Sequence, residues 1–293
     1  MLPPETIRLP FEDGPFRMAM ALTAAPPDDM IELDALYSAE IAERARLLEE
    51  RHDEVFAALP GGEAASAEVL ARLGELLPRR YPDVFEAGDG AIVNRLTGER
   101  WRLRDPTLHP LEVAGRLVQE DLCLLAEGPV LDAAVLCFPS RWRLAEKIGR
   151  RLPDVHEGVP LYGERLARPV DRFFAHLQPG RLATRLNWSV IDDSALFQPG
   201  GKYRTAPNET VTTDNAGATL FLRVERQTLS RVLDHVLFTI RVHVTPLDRA
   251  IATRDDAARL AGAVRALPDE MARYKSLPTI REPLLAWLDA RSG

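Results

Sequence analysis

His156 stands in the run Pro153-Asp154-Val155-His156-Glu157-Gly158-Val159-Pro160, where prolines stiffen the backbone on both sides of an imidazole. One imidazole held in so short a loop has the chemistry of an axial ligand at a cofactor face; a surface-loop histidine is the plain alternative. The other histidines, His52, His109, His176, His235 and His243, are too dispersed for a sequence-local metal site, and packing or exposure accounts for His52 and His176 within helical segments. Arg223 and Glu225 take the polar positions of one alternating strand, and Thr239, Arg241 and His243 those of another. If the strands pair, these side chains are expected to share a face, either solvated or forming a polar pocket or carboxylate clamp suited to arginine's forked donors. Arg141, Arg143 and Lys147 offer the same service from a basic segment.

Other chemistries lose support. Gly200-Gly201-Lys202 lacks the earlier glycine and the following Ser or Thr of a phosphate loop, and neither G-x-S-x-G nor H-E-x-x-H occurs. Cys123 and Cys137, fourteen positions apart, lack paired metal-site spacing and read as buried thiols. With 37 basic and 44 acidic residues and a net charge of -7, the chain has no basic stripe for a phosphate backbone, so nucleic acid is not an expected partner. The longest apolar runs fall short of the ~18 residues that cross a bilayer, and the proline- and acid-rich start does not resemble a secretory signal, so a cytoplasmic location is expected.

These residues need elements to position them. Apolar spacing predicts a long helix over residues 29–59 and a second from Ser66 to before Pro82, a helical N-terminal extension covering residues 1–88. A hairpin about Thr97-Gly98-Glu99 is expected to begin the sheet, followed by a helix from Pro110 to about Ala126 and a strand from Leu131 to Phe138. A basic helix over Arg141–Arg151 and another over residues 163–178 are expected next. Strands are expected at Leu182–Ile191, Ala218–Arg226 and Val236–Thr245, with a long loop of little periodicity between the first two that reads as a lid or interaction surface. Helical periodicity returns over residues 247–293, where Thr279 and Glu282 have the spacing of a capping box. The fold class expected is α+β, with an antiparallel sheet.

Taken in order, DLCLLAEG (121–128), CFPSRWRLAEKIGRRLPDVHEGVP (137–160), VDRFF (170–174), RLNWSV (185–190), RVERQTLSR (223–231) and LFTIRV (237–242) resemble the haem-dependent oxidative N-demethylase family, with weaker echoes in the N-terminal helix and at Tyr274-Lys275. The resemblance implies a PAS-like core over residues 89–246, a five-stranded antiparallel sheet with helices, packed by C-terminal helices over residues 247–293. It implies haem b in the core's interior and oxidation of a small secondary methylamine such as dimethylamine by dioxygen, giving the shorter amine and formaldehyde. Flavin and iron-sulfur reductase subunits would be the partner chains. Within that family context His156 becomes the candidate iron ligand. Glu225 is the first candidate to balance the ammonium and manage protons, with Asp192 or Asp193 the second. Arg226, Asn187 and Trp188 would line or brace the pocket, and Arg141, Lys147, Arg223 and Arg241 would meet the propionates. A PAS-type haem sensor without turnover is the alternative. The loop over residues 193–216 matches no motif, which leaves the identity of the amine open.

Overall fold

The computed structural model describes residues 1–12, 14–104 and 106–293. Its strands along the chain are β1 (Thr23–Ala25), β2 (Phe56–Ala58), β3 (Phe85–Gly88), β4 (Ala91–Asn94), β5 (Arg100–Arg102), β6 (Asp121–Ala126), β7 (Val130–Val135), β8 (Leu182–Ile191), β9 (Phe221–Val232) and β10 (His235–Pro246). The three longest form a meander, and the pairing of β10 with β6 closes a seven-stranded sheet in the order β1-β8-β9-β10-β6-β7-β2, antiparallel throughout. Turn chemistry sets the hairpins: Gly128 takes φ 79° between β6 and β7, a conformation that suits a residue without Cβ. The α+β class therefore holds, with a large antiparallel sheet and flanking helices.

Several local expectations need correction. The Thr97-Gly98 hairpin does not open the main sheet; β3, β4 and β5 form a separate three-stranded sheet. The 29–59 helix is divided: the helix proper is Tyr37–Glu50, and Phe56 leaves helical geometry to pair with Val135 at the sheet edge. The helix begun at Pro110 stops at Leu117, because Asp121–Ala126 is recruited as β6 in the sheet interior, where apolar runs without alternation are at home. No helix spans 141–151. Arg141 sits at φ 61° and Gly149 at φ 77°, leaving one short 3-10 turn, Leu144–Glu146. The capping box lies at Thr253 and Asp256, at the start of the Arg254–Ala266 helix, and Thr279 instead donates its hydroxyl to the Ser276 carbonyl.

Register decides which side chains meet. Antiparallel partners share a face, and Asn187 pairs with Glu225, Arg185 with Gln227, and Arg226 with Arg241. One face of the sheet thus carries Arg185, Asn187, Ser189, Arg223, Glu225 and Gln227. It looks toward the insert between β7 and β8, whose Tyr162, Leu166, Val170 and Phe174 pack with Cys123, Ala134 and Leu229. The opposite face carries Leu186, Trp188, Val224, Arg226 and Arg241, and packs on the N-terminal lobe and the C-terminal helices.

Candidate active site

His156 ends the Leu152–Val155 helical turn, and that turn fixes the ring: imidazole Nδ1 lies 2.8 Å from the Leu152 carbonyl oxygen. A carbonyl can only accept, so Nδ1 carries the proton and Nε2 keeps its lone pair, the tautomer a metal requires. The ring stacks on Tyr162 with centroids 4.4 Å apart and planes 6° apart. Burial pushes its pKa down to about 4, against the Leu152 hydrogen bond and with help from the charges of Lys202, Arg185 and Lys147. His156 is therefore a neutral base at ordinary pH, facing three cations.

On the sheet face below, Glu225 is buried in the middle of β9. Its Oε2 accepts the Asn187 amide at 3.2 Å and the Gln227 amide at 2.9 Å, which orients the carboxylate and leaves Oε1 without a donor among the described residues. Around it gather Arg185, Lys202 and Lys275, whose pKa values burial lowers while Glu225 pulls them back up; that of Lys275 falls to about 8. Lys275 reaches in over the edge of β8, donating to the Trp188 carbonyl at 2.6 Å, and the Lys202 ammonium donates to the Tyr274 hydroxyl at 3.2 Å. From Thr184 to Ser189 every residue of β8 stays half-buried, so packing does not seal this face. Surface hollows of about 190 Å³, beside Arg72 and Arg231, and about 620 Å³, walled by Tyr203–Glu209 and Thr279, are lined by neither His156 nor Glu225.

The predicted residues divide sharply. Asn187 holds Glu225, Lys147 lies near His156, and the two groups are linked through Arg185 and Lys202, whose charges act on both. Arg223 is on the same face, but its guanidinium grips the carbonyls of Phe138, Pro139, Ala195 and Leu196, so as a propionate partner it is corrected to a tether for two loops. Asp192 binds Arg204 at 2.5 Å and Asn208 at 2.8 Å, with Arg141 at 3.6 Å, and these partners hold its carboxyl below the usual range despite burial; it fastens the 193–210 loop. Arg141 also donates to the Lys275 carbonyl. Asp193 is exposed and accepts from the Ala195 amide in a local turn. Trp188 turns its ring to the opposite face, edge-on to Phe11, because adjacent strand residues cannot share a side. Arg185, Lys202, Tyr162, Tyr274 and Lys275 are the additions. The alternation in RLNWSV carried a signal for Arg185. Lys202 followed the rejected glycine pair, and Tyr274-Lys275 stood only as a weak echo of the family with no role attached.

Arg241 and Arg226 are corrected most fully, since a one-residue offset in parity carries them to the far face. Arg241 binds Asp34 and Glu40 at 2.7 Å each, and Arg226 reaches Glu32 and the Asp29 carbonyl. Arg8 joins the group on Glu32 at 2.7 Å, giving three guanidinium groups against the carboxyls of Glu32, Asp34, Glu40 and Glu120. Burial raises Glu120 to about 7, and its Oε2 has no partner, consistent with a retained proton. A folded pKa above the unfolded one gives stability that is full below about pH 4.5 and lost as pH rises through 7. Glu120→Gln is therefore expected to raise stability at pH 8 by on the order of 3 kcal/mol and to leave it unchanged near pH 4.5. Urea unfolding at the two pH values checks this, and an equal gain at both contradicts it.

Both cysteines are free and buried, with thiol pKa values pushed up by burial. No helix among the described residues is long and apolar enough to cross a membrane. The family model described as haem-dependent oxidative N-demethylase, alpha subunit-like, matches residues 21–285.

Proposed function

The chain belongs to the haem-dependent oxidative N-demethylase, alpha subunit-like family, and from that premise we propose that it holds haem b through His156 and oxidatively demethylates a small secondary methylamine. The observation that carries this reading is the His156 imidazole, neutral, with Nδ1 bonded to the Leu152 carbonyl and Nε2 free. The donor set fits: a lone-pair nitrogen for iron, and a surplus of cations near it for two propionates. Lys147 and Lys202, which both face His156, with Arg141 beside them, are the groups proposed to meet those carboxylates. The five central strands β8, β9, β10, β6 and β7, with a helical insert between β7 and β8, support a PAS-like core over residues 89–246. On this reading residues 1–88 would be its N-terminal extension and residues 247–293 would pack on it; β1 and β2 lie at the two edges of the sheet.

Haem bound there would supply activation of dioxygen. The chain's own part is to bind and orient. Glu225 Oε1 would accept an N–H of the substrate ammonium, and Asn187 and Gln227 would keep that carboxylate from rotating away. The reaction takes a methylamine, dioxygen, two electrons and two protons to the shorter amine, formaldehyde and water; the methyl carbon is oxidised and dioxygen reduced. Flavin and iron-sulfur reductase subunits would deliver the electrons, and the protein would work away from membranes in the cytoplasm. Haem-loaded protein supplied with reductase and a panel of methylamines is expected to release formaldehyde. Dimethylamine belongs in that panel. A haem band without formaldehyde from any amine would favour the sensor alternative.

A further inference from the structure

Arg185 is a cation on the Glu225 face with no side-chain partner among the described residues. No hydrogen bond or ion pair joins it to any described residue, and its Nε is buried with no acceptor. Its neighbours explain why. Arg185 pairs across the strands with Gln227, whose amide already serves Glu225, and Asn187, two residues along β8 on the same face, serves Glu225 as well. The Glu225 carboxylate is thus turned toward its amides and stays beyond ion-pair distance of the guanidinium, although the two are diagonal neighbours across β8 and β9, where long side chains reach each other. Lys275, which closes the edge of β8, directs its ammonium to the Trp188 carbonyl and adds a second positive charge.

Such an arrangement presents a carboxylate oxygen without a donor and, diagonal to it across the two strands, a forked donor without an acceptor. A bare dialkylammonium ion satisfies the first and leaves the second desolvated and unpaired, which is costly. A zwitterion satisfies both. Resting on the demethylase reading above, we propose that Arg185 and Glu225 form a recognition pair for an N-methylated amino acid, with Glu225 accepting the ammonium N–H and Arg185 binding the carboxylate. For N-methylglycine the balance is N-methylglycine, dioxygen, two reductase electrons and two protons to glycine, formaldehyde and water. The N–CH3 bond breaks after oxidation at the methyl carbon, and the backbone carboxylate is untouched.

Calorimetric titration of N-methylglycine and of dimethylamine into the haem-loaded and haem-free protein tests this, with the Soret band recorded separately. The expected result is binding of N-methylglycine at least about tenfold tighter than dimethylamine, the factor a single charge-assisted bond supplies. Arg185→Gln is expected to erase that preference and Arg185→Lys to keep part of it, both with unchanged melting temperature. Equal affinity for the two ligands, or a preference that survives Arg185→Gln, overturns the proposal. So does a result in which Arg185→Gln weakens binding of haem but not of haem dimethyl ester, since Arg185 would then belong to a propionate. A missing Soret band with the N-methylglycine preference intact would overturn the haem reading alone.

Discussion

His156→Ala is expected to lower haem affinity by at least about a hundredfold, more than the loss of a hydrogen bond that merely orients a ligand. The imidazole is presented rather than packed: Leu152 fixes its tautomer, Tyr162 fixes its plane, and Nε2 is left over. Titration of haem into the purified variant, followed at the Soret band, checks the loss, and added imidazole is expected to restore part of the band by filling the space. An unchanged spectrum would move the ligand to another residue. Acid adds a second readout. The folded pKa of His156 lies at about 4, below the usual value near 6.5, chiefly through burial. Stability tied to this group is present above pH 6.5 and falls as pH drops toward 4, because the unfolded chain binds the proton first. Haem release on acidification is accordingly expected well below pH 6.5.

The second large effect is on the fold. Arg44 and Asp121 form a fully buried ion pair at 2.8 Å, and the Asp121 carboxylate also accepts the amides of Cys137 and Phe138. Arg44 in turn donates to the Gly115 carbonyl. This pair holds the chain where it leaves β7 for the insert bearing His156, and Arg223 grips the Phe138 carbonyl from the other side. Arg44→Met strands a buried carboxylate and is expected to cost about 3–5 kcal/mol. That is a large share of the 5–15 kcal/mol typical of a folded chain. Urea unfolding measures it; a loss below about 1 kcal/mol would contradict the account, and Arg44→Met with Asp121→Asn is expected to recover much of the deficit.

What could be read from residues alone was local. The two prolines around His156, the alternation of Arg223 and Glu225 and the three long strands follow from short-range pattern and reappear in the structure, the second strand moved from 218–226 to Phe221–Val232 because Ala216–Thr219 makes a helical turn. Face assignment did not follow, because parity between strands depends on a register that no single strand contains. Pairing Glu225 with Val242 rather than Arg241 sends Arg241 to Asp34 and Glu40. Lys275 and Tyr274 join the site only because the C-terminal segment folds back over the edge of β8, a contact separated by 87 residues from Trp188. The strand Asp121–Ala126 was hidden for a related reason: a run buried on both faces has no period to distinguish it from a helix.

The most direct measurement is the absorption spectrum of the full chain, purified after expression with ample haem. The expected result is a Soret band in stoichiometric proportion to protein that shifts when His156 is replaced. A colourless protein that also fails to take up added haem would contradict the central claim that His156 holds a porphyrin against the Glu225 face of the sheet.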